Sequence, residues 1–555
     1  MIVRAARLFG REIEGLHAAA YILGASALAS SLLALARDRL FAHTFGAGEV
    51  LDIYYASFRI PDLIFVLIAS LFSAYALIPM LSGKQPEGQH RYIDAVTVGF
   101  GAVMFVVSAV AYVLIPVLMP ALFPGLTSAG DTDVILLSRI LLLQPILLGL
   151  SNILAAITQT HRQYLLYALA PILYNIGIIA GLIVLYPLFG TTGLVWGVVL
   201  GALLHVCIQL PSVVARGFFT RVPRLQSLSE LKETLFLSLP RTLALGVGQI
   251  VQMVLIIIAG LLAPGSIAVF TFAFNLQAVP LAVIGASYSV AAFPTLARMA
   301  SEGDMASFVL QVVSASRHIL FWSMPAIALM IVLRAHIVRV ILGSGAFDWT
   351  DTRLTAASFA LFSLALVASA LSLLIIRAYY AAGRSYLPLV VSVGSAVGAV
   401  GSVLLLFAND MDGVGLFLES LLRVEDVPGT VMLILPLTSS LAAILGAIAF
   451  VSFFEAHFGG FVQGISRIFW ESLTAAGIAG SLAYAVLAYL GGIGHATTLA
   501  LVIFHGFVAG FAGLAGSAMV YWFFGSPEFY EALSAFKRRP HVVAPVASTE
   551  ETITT

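Results

Sequence analysis

Residues 37–61 read RDRLFAHTFGAGEVLDIYYASFRIP and bring together several charged side chains in a chain that otherwise has few. These side chains are Arg37, Asp38, Arg39, Glu49, Asp52 and Arg59. The flanking segments, AAAYILGASALASSLLALA at 18–36 and LIFVLIAS at 63–70, are apolar enough to lie in lipid. Because a charge at membrane depth costs several kcal/mol by insertion scales, it tends to mark a pathway. This stretch therefore points to a function inside a membrane.

The composition of the whole chain indicates the same class. Of its 555 residues 61% are hydrophobic and 10% charged, and the mean hydropathy is +1.05. Soluble domains have about 45–50% apolar and about 25% charged residues. The chain is thus predicted to be an all-α polytopic membrane protein, since only helices can satisfy the backbone of such a chain in lipid. A net charge of zero indicates no nucleic-acid partner.

A window of about 19 residues predicts about fourteen transmembrane helices. They lie near 17–36, 52–81, 93–123, 134–159, 163–187, 190–215, 234–262, 267–299, 308–341, 354–382, 386–408, 430–455, 467–490 and 496–524. Alternate loops carry the basic residues, which accumulate on the cytoplasmic side. This alternation predicts that both termini are cytoplasmic. Arg37 and Arg39 break it, because they fall on the side where basic residues should be rare.

The second and eighth predicted spans are similar in plan. Residues 58–82 and 274–297 each have an aromatic and polar start, a proline, a middle of small residues and a closing proline. The proline spacing differs, so the similarity is weak. Transporters are commonly built from repeated halves with broken helices near the binding site, and each proline removes a backbone donor and bends its helix. Prolines are also commoner in membrane helices in general.

The charged stretch and its continuation resemble the opening of the MurJ (MviN) lipid II flippases of the MOP superfamily. The matching segments are ARD at 36–38, FGAG at 45–48, the aspartate at 52, FRIPDL at 58–63 and IPML at 78–81. Further similarity follows at LAPILYNI (169–176), SLPRTLALGVGQIVQMV (238–254) and AVPLAVIGASYSVAAFPTLARMASEGD (278–304). The similarity covers most of the chain and is thin beyond about residue 390.

The resemblance implies a MOP/MATE-like fold of two pseudo-symmetric six-helix lobes with two extra C-terminal helices. The predicted divisions are an amphipathic cytoplasmic N-terminus (1–16), an N-lobe (17–215), a cytoplasmic linker (216–233), a C-lobe (234–455), two further helices (456–524) and a largely disordered cytoplasmic tail (525–555). It also implies that lipid-linked peptidoglycan precursor moves from the inner to the outer leaflet by alternating access.

The chain departs from the family pattern where that pattern places cavity arginines. Ser31, Phe65, Val66 and Asn275 stand at such positions, and Ser70 stands where the family has a glutamate. The family arginines line a cationic cavity for the lipid diphosphate, so most of that charge is missing here. The fold that the resemblance implies does not depend on these positions, whereas the implied substrate does.

The remaining charges still suit an anionic cargo. Diphosphate is held well by planar guanidinium groups, which donate paired hydrogen bonds, and Arg37 and Arg59 supply two. Asp38 and Asp52 are predicted to hold these arginines between cargo encounters or to carry a coupling ion. The alternative hypothesis is that Arg37, Asp38 and Arg39 form a solvated helix end with long side chains that reach the interface.

Two further residues complete the predicted substrate-binding set. Asn275 takes the position of a family arginine, and Arg241, after Pro240, reaches either the cavity or the cytoplasmic interface. The histidines lack the helical spacing of metal ligands, so no metal site is predicted. No phosphate-binding loop of the G-x-x-x-x-G-K-[ST] type is present. Transport is therefore expected to need no cofactor and to draw on an ion gradient or the membrane potential, with any coupling ion unidentified.

The leading hypothesis is a flippase of lipid II in the bacterial cytoplasmic membrane, a transporter and not an enzyme. Its expected partners are the lipid-linked glycan precursor and membrane lipids, with cell-wall synthesis proteins as candidate protein partners. Three alternatives stay open: a flippase of another polyprenyl-linked oligosaccharide (Wzx type), a cation-coupled exporter (MATE type) for which Asp52 and Asp62 offer embedded acids, and a transport-inactive scaffold. A membrane transferase is disfavoured because no loop holds an Asp or His cluster.

The charge alternation leads to a prediction about sidedness. The loop around Lys84 and Arg91 should be cytoplasmic, and the acidic insert 409–429 should be outside. Single cysteines at Gly88 and Gly413, introduced after Cys207 is replaced, should be labelled from opposite sides of the membrane by an impermeant thiol reagent. Labelling of both positions from the same side would contradict the fourteen-span topology.

Overall fold

A computed structural model describes residues 16–127, 133–221, 223, 228–384, 386–408, 412–491 and 498–537. Every regular element in these ranges is helical. This agrees with the prediction from composition, because a helix satisfies its backbone hydrogen bonds internally and needs no water to do so.

The first half of the described chain forms one helical pass after another. Its α-helices are α1 (Leu16–Phe45), α2 (Glu49–Ser57), α3 (Arg59–Leu67), α4 (Ala74–Ser82), α5 (Pro86–Leu122), α6 (Asp133–Leu141), α7 (Leu143–Thr160), α8 (Tyr164–Ala180), α9 (Tyr186–Phe189), α10 (Thr191–Cys207) and α11 (Leu210–Ala215). Short 3₁₀ turns occur at Ala69–Phe72 and Pro124–Leu126, and a π-helical turn joins α8 to α9 at Gly181–Leu185.

The second half continues in the same way. Its α-helices are α12 (Leu228–Ala259), α13 (Ser266–Pro280), α14 (Ser287–Glu302), α15 (Met305–Val332), α16 (Arg334–Ile341), α17 (Trp349–Ser363), α18 (Leu366–Ala381), α19 (Tyr386–Ala408), α20 (Asp412–Leu422), α21 (Ile434–Phe458), α22 (Phe461–Tyr489), α23 (Leu499–Phe524) and α24 (Pro527–Lys537). A π-helical turn at Leu281–Ala286 joins α13 to α14, and a 3₁₀ turn at Thr430–Leu433 precedes α21.

The described residues contain most of the predicted transmembrane spans. Among the described residues, ten helices are long and apolar enough to cross a membrane, and two bent helix pairs bring the total to as many as 12. Helices α1 and α12 occupy the positions of the remaining two predicted spans. The multi-pass prediction is confirmed, whereas the division into two lobes at the stated residue boundaries stays a prediction.

The two spans that share a proline pattern are interrupted in different ways. The second span bends by 42° where α3 gives way to the 3₁₀ turn at Ala69–Phe72. The eighth span, Ser266–Glu302, runs as one helical pass and carries its π-helical turn directly after Pro280. The missing backbone donor of a proline loosens the local hydrogen-bond ladder, and a π-helical turn often marks a functional place in a helix.

Helices α8 and α10 approach each other unusually closely because glycines face each other along them. A Cβ added at Gly177 would overlap the backbone of Gly201, and one added at Gly197 would overlap the backbone of Gly181. In lipid, small residues at a helix interface permit this approach and gain van der Waals contact. The glycines thus position α8, which carries Asn175, against its neighbours.

The chain end that we predicted to be largely disordered begins with a helix. Residues 527–537 form α24, which follows the left-handed Gly525. Residues 538–555 lie outside the described residues, so the prediction for that part stays a prediction.

The close approach of α8 and α10 generates a stability prediction. Gly197→Val should lower the thermal unfolding temperature in detergent, because overpacking a tight interface typically costs about 1–3 kcal/mol. Gly101→Val is the matched control, since a Cβ there meets open space in α5. Equal unfolding temperatures for the two variants would mean that the α8–α10 contact is not tightly packed.

Candidate functional site

Arg37 and Asp38 form the centre of a polar cluster inside the helical bundle. The guanidinium of Arg37 donates through Nε (3.0 Å) and Nη2 (2.7 Å) to Oδ1 of Asp38. Its third donor, Nη1, reaches Oδ1 of Asn175 in α8 at 3.1 Å. Asp38 is buried, while Arg37 keeps 21% of its side chain exposed. Arg37 is therefore oriented by two partners and still accessible, whereas the burial of Asp38 differs from what the solvated-helix-end alternative predicts.

The second oxygen of Asp38 connects the cluster to the other half of the chain. Asn275 in α13 donates through Nδ2 to Oδ2 of Asp38 at 3.0 Å. One carboxylate thus ties α1 to α13, while Arg37 ties α1 to α8. The residue that replaces a family arginine is consequently part of the predicted cluster, as a neutral hydrogen-bond donor.

Arg59 is more buried in the protein than Arg37, and its contacts come from its own helical segment. Its Nε donates to the carbonyl oxygen of Tyr55 at 3.0 Å, and its Nη2 lies 3.8 Å from Oδ2 of Asp62. The side chain of Arg59 is buried, whereas that of Asp62 is 27% exposed. The pair with Asp62 is therefore loose, and the acid is the more accessible partner.

Tyr55 is a neighbour of Arg59 in this site. It lies one helical turn before Arg59, and its backbone carbonyl accepts the hydrogen bond from that arginine. Its buried hydroxyl has no hydrogen-bond partner among the described residues. Sequence reasoning missed this tyrosine, although its i, i+4 spacing to Arg59 was a usable signal.

Asp52 has a different role from the predicted one. Its Oδ2 accepts from the backbone N–H of Gly265 at 2.6 Å, and its Oδ1 accepts from that of Ala268 at 2.8 Å. The prediction that Asp52 holds Arg59 or Arg37 is therefore wrong, and the alternative that it carries a coupling ion stays a prediction. The N–H groups at the start of α13 have no partner within their own helix and favour a carboxylate. Asp52 therefore caps this helix from a different span.

Arg241, the remaining predicted binding residue, lies in α12. Its side chain lies outside the described residues, so its proposed approach to the cavity stays a prediction.

Further contacts join the end of α1 and the residues after it to the end of α16 and the segment that follows. Arg39 donates from Nη1 to the carbonyl oxygens of Val340 (2.6 Å) and Ile341 (3.1 Å). The backbone N–H of Ala47 donates to Oδ2 of Asp351 at 3.0 Å, and the N–H of Ala346 donates to the carbonyl oxygen of His43 at 2.9 Å. Together with the Asp52 cap these contacts form the latch, which holds both halves of the chain together at one end. Arg39 is hence bound at a helix C-terminus, where a cation is favoured.

Glycines make the latch possible. Gly265 (φ +89°) and Gly345 (φ +59°) have left-handed backbones. A Cβ at Gly265 would overlap the carbonyl of Ala47, and one at Gly345 would overlap that of His43. A side chain at either position would hold the two halves apart.

An apolar groove begins beside the charged cluster. Its volume is about 1030 Å³ and it runs along α13, α14, α15 and α23. Leu35 and Leu276 line it, two and one residues from Arg37 and Asn275 respectively. Small-molecule pockets typically measure about 300–1,000 Å³, so the groove is large. A polar cluster and an adjoining apolar groove together suit an amphipathic ligand.

Solved structures with the same arrangement of helices are membrane transporters. The chain is similar to a lipid II flippase MurJ in an inward closed conformation, with a TM-score of 0.70, 21% identity, and coverage of 90% of this chain and 99% of that one. It is also similar to an inward-facing MATE family multidrug transporter of the MOP superfamily, with a TM-score of 0.61, 17% identity, and coverage of 79% and 94%. The chain thus shares the fold of these two proteins.

Sequence comparisons narrow this class. A family model described as lipid II flippase MurJ matches residues 41–504. The lipid II flippase MurJ of Burkholderia cenocepacia is 24% identical over 379 residues, which cover 66% of this chain and 73% of that protein. The probable lipid II flippase MurJ of Thermotoga maritima is 27% identical over 397 residues, covering 70% and 79%. The chain belongs to the lipid II flippase MurJ family, and it is a membrane transporter and not an enzyme.

The capping role of Asp52 leads to a testable expectation. Asp52→Ala should leave the N–H groups of Gly265 and Ala268 without acceptors, at a cost of about 1–3 kcal/mol for a buried unsatisfied donor. Hydrogen exchange at these two amides should therefore become faster, and the unfolding temperature should fall. Asp52→Asn, which keeps one acceptor oxygen, should have a smaller effect.

Asp304 supplies the control, because it caps α15 from the residue directly before that helix and not from another span. Hydrogen bonds from Ser307, from its side chain and its backbone N–H, lower the pKa of the Asp304 carboxyl, so it stays ionised at neutral pH. Asp304→Ala should speed exchange near Ser307 only. Unchanged exchange at Gly265 in Asp52→Ala would refute the inter-helix cap.

Proposed function

We propose that this chain moves lipid II from the inner to the outer leaflet of the bacterial cytoplasmic membrane by alternating access. The observation that carries this proposal is an accessible arginine, Arg37, beside the start of a large apolar groove. In lipid II a diphosphate joins the glycan head of the peptidoglycan precursor to a long apolar tail. The cluster supplies charge-assisted donors for the diphosphate, and the groove supplies an apolar surface for the tail.

The direction of opening follows from the latch and the charge alternation. The latch residues 39–52 and 340–351 lie in or next to loops that this alternation places outside the cell, with both termini in the cytoplasm. In this orientation the latch closes the outer side, so the cluster is available to lipid from the inner leaflet. Release to the outer leaflet then requires the latch contacts to break.

The hydrogen bonds of the cluster suggest how cargo engages it. Asp38 occupies two donors of Arg37 and one of Asn275. An arriving diphosphate offers oxygen acceptors of the same kind and competes with Asp38 for these donors. Since Asp38 also ties α1 to α13, this competition would weaken a contact between the two halves. Substrate binding and conformational change are coupled in this way.

A flippase with few cavity arginines depends strongly on each one that remains. Phe65, Val66 and Asn275 carry no charge, so Arg37 and Arg59 provide a larger share of the attraction. We further propose that transport draws on the membrane potential or on an ion bound by an accessible acid such as Asp62, without a cofactor. Cell-wall synthesis proteins are the protein partners that fit this role.

The test of the function is rescue of a bacterium depleted of its own lipid II flippase. The wild-type chain should restore growth and normal shape. A scaffold without transport activity or a drug exporter should fail to do so. Failure of a stably inserted wild-type chain would overturn the proposed function.

Arg37 should be needed for this rescue, and lipid II binding by the purified variants should show why. Arg37→Ala should lower lipid II affinity about 10- to 100-fold, because charge-assisted hydrogen bonds contribute about 1.5–3 kcal/mol. Arg37→Lys should lie between Ala and wild type, since an ammonium lacks the planar fork. Arg139→Ala is the control, because this arginine stacks on Tyr112 at 4.3 Å, away from the cluster. Wild-type binding by Arg37→Ala would mean that the cluster is structural.

A further inference from the structure

Helix α24 closes the end of the groove that lies farthest from Arg37. Its residues Phe529, Ala532 and Leu533 line the groove. Two polar contacts hold it to α15. Glu528 Oε1 forms an ion pair with Arg317, 2.6 Å from its Nε, and Glu531 Oε2 lies 3.1 Å from Nε2 of His318, a contact that is ionic when the imidazole is protonated. The helix therefore brings two anionic groups and three apolar side chains to the same place.

The position of this contact matches the headgroup level of a membrane. Trp322 donates through Nε1 to the hydroxyl of Tyr288 at 3.1 Å, and the Tyr288 ring stacks on the His318 ring at 5.5 Å. Tryptophan and tyrosine concentrate where apolar lipid meets water. Both aromatic residues also line the groove, so the basic pair Arg317 and His318 lies where the groove meets the interface.

The docking of α24 is incomplete. Glu528 is buried, with 4% of its side chain exposed, and its Oε2 has no hydrogen-bond partner among the described residues. Burying a charge with an unsatisfied oxygen is costly. Arg317 remains 33% exposed and Glu531 66%, so water and lipid reach both pairs. Gly525, which joins α24 to α23, has a left-handed backbone with open space around it. These are the properties of a helix that can be displaced. In a permanent anchor each buried carboxylate oxygen would have a hydrogen-bond partner.

We propose that Arg317 and His318 form a loading site for the phosphate of a polyprenyl phosphate lipid in the inner leaflet, and that α24 is a lid which occupies this site until the lipid displaces it. Glu528 and Glu531 take the place of phosphate oxygens, and Phe529 and Leu533 take the place of the first part of the lipid chain. This inference rests on the proposed function. It adds a second, earlier phosphate contact at the far end of the groove from Arg37.

Hydrogen exchange of the full chain in nanodiscs tests the lid without any substitution. Exchange in residues 527–537 should rise when undecaprenyl phosphate is added. It should not rise with undecaprenol, which has the same chain without the charge, or with inorganic phosphate, which lacks the chain. An equal rise with undecaprenol, or no rise with any of the three, would overturn the proposal.

Substitutions test the competition. The double variant Glu528→Gln and Glu531→Gln should bind undecaprenyl phosphate about 3- to 10-fold more tightly than wild type, because it removes the two carboxylates that compete with the phosphate. Arg317→Ala should weaken binding, and in the Arg317→Ala background Glu528→Gln should no longer increase affinity. A double variant with a lower unfolding temperature and unchanged affinity would show that α24 is only an anchor.

Two exposed residues near the end of α14 provide matched controls. Arg298→Ala and Glu302→Gln change the same charges without touching α24, and both should bind the lipid as wild type does. Lipid II binding by Arg37→Ala, measured in parallel, separates the two proposals. Loss of binding in Arg37→Ala with no effect of Arg317→Ala would overturn the loading site alone. The opposite result would overturn the role of the central cluster and leave the loading site supported.

Discussion

The polar cluster inside the helical bundle depends on the hydrogen bonds that the carboxylate of Asp38 accepts. It accepts from Arg37 on its own helix and from Asn275 on α13, so one buried acid neutralises a cation and joins two spans that are far apart in sequence. A charge in an apolar interior must be paired and hydrogen-bonded. The need to pair Arg37 therefore explains the position of Asp38 and the orientation of the guanidinium. The bond from Asn275 to the same carboxylate holds α13 close to α1.

The latch depends on a related constraint, which acts on the backbone. The N–H groups at the start of α13 need acceptors, and the carbonyls at the end of α16 need donors. Asp52 and Arg39 meet these needs from the other half of the chain. At the latch the two halves are thus joined by helix ends, next to a hydrophobic core to which both halves contribute side chains. Contacts of this kind break a few at a time, which suits a protein that must open on alternate sides.

The groove and the lid extend this logic to the cargo. Each proposed phosphate contact is already occupied by a carboxylate of the protein: Asp38 at the centre and Glu528 with Glu531 at the far end of the groove. Such internal partners keep the arginines ionised and oriented while no lipid is bound. A diphosphate can take their place on the arginines, so that these cations stay paired during the exchange. This chain has fewer cavity arginines than the family pattern. Fewer cations therefore need a carboxylate partner when no lipid is bound.

The sequence by itself determined the class of the protein and the helical passes, and it identified Arg37, Asp38, Arg59 and Asn275 as candidate binding residues. Hydropathy is a property of continuous segments, and charges inside such segments are rare enough to identify directly. Family resemblance then predicted the fold, which the comparisons confirmed.

Only the tertiary structure decided which partner each charge chose. Asp52 lies seven residues before Arg59 in sequence, yet it binds the start of α13, because the competing donors come from a distant span. The polar contacts of α24 and the glycines of the latch gain their roles in the same way. Their partners depend on where the helices meet in space, and a pattern read along a single chain does not contain that distance.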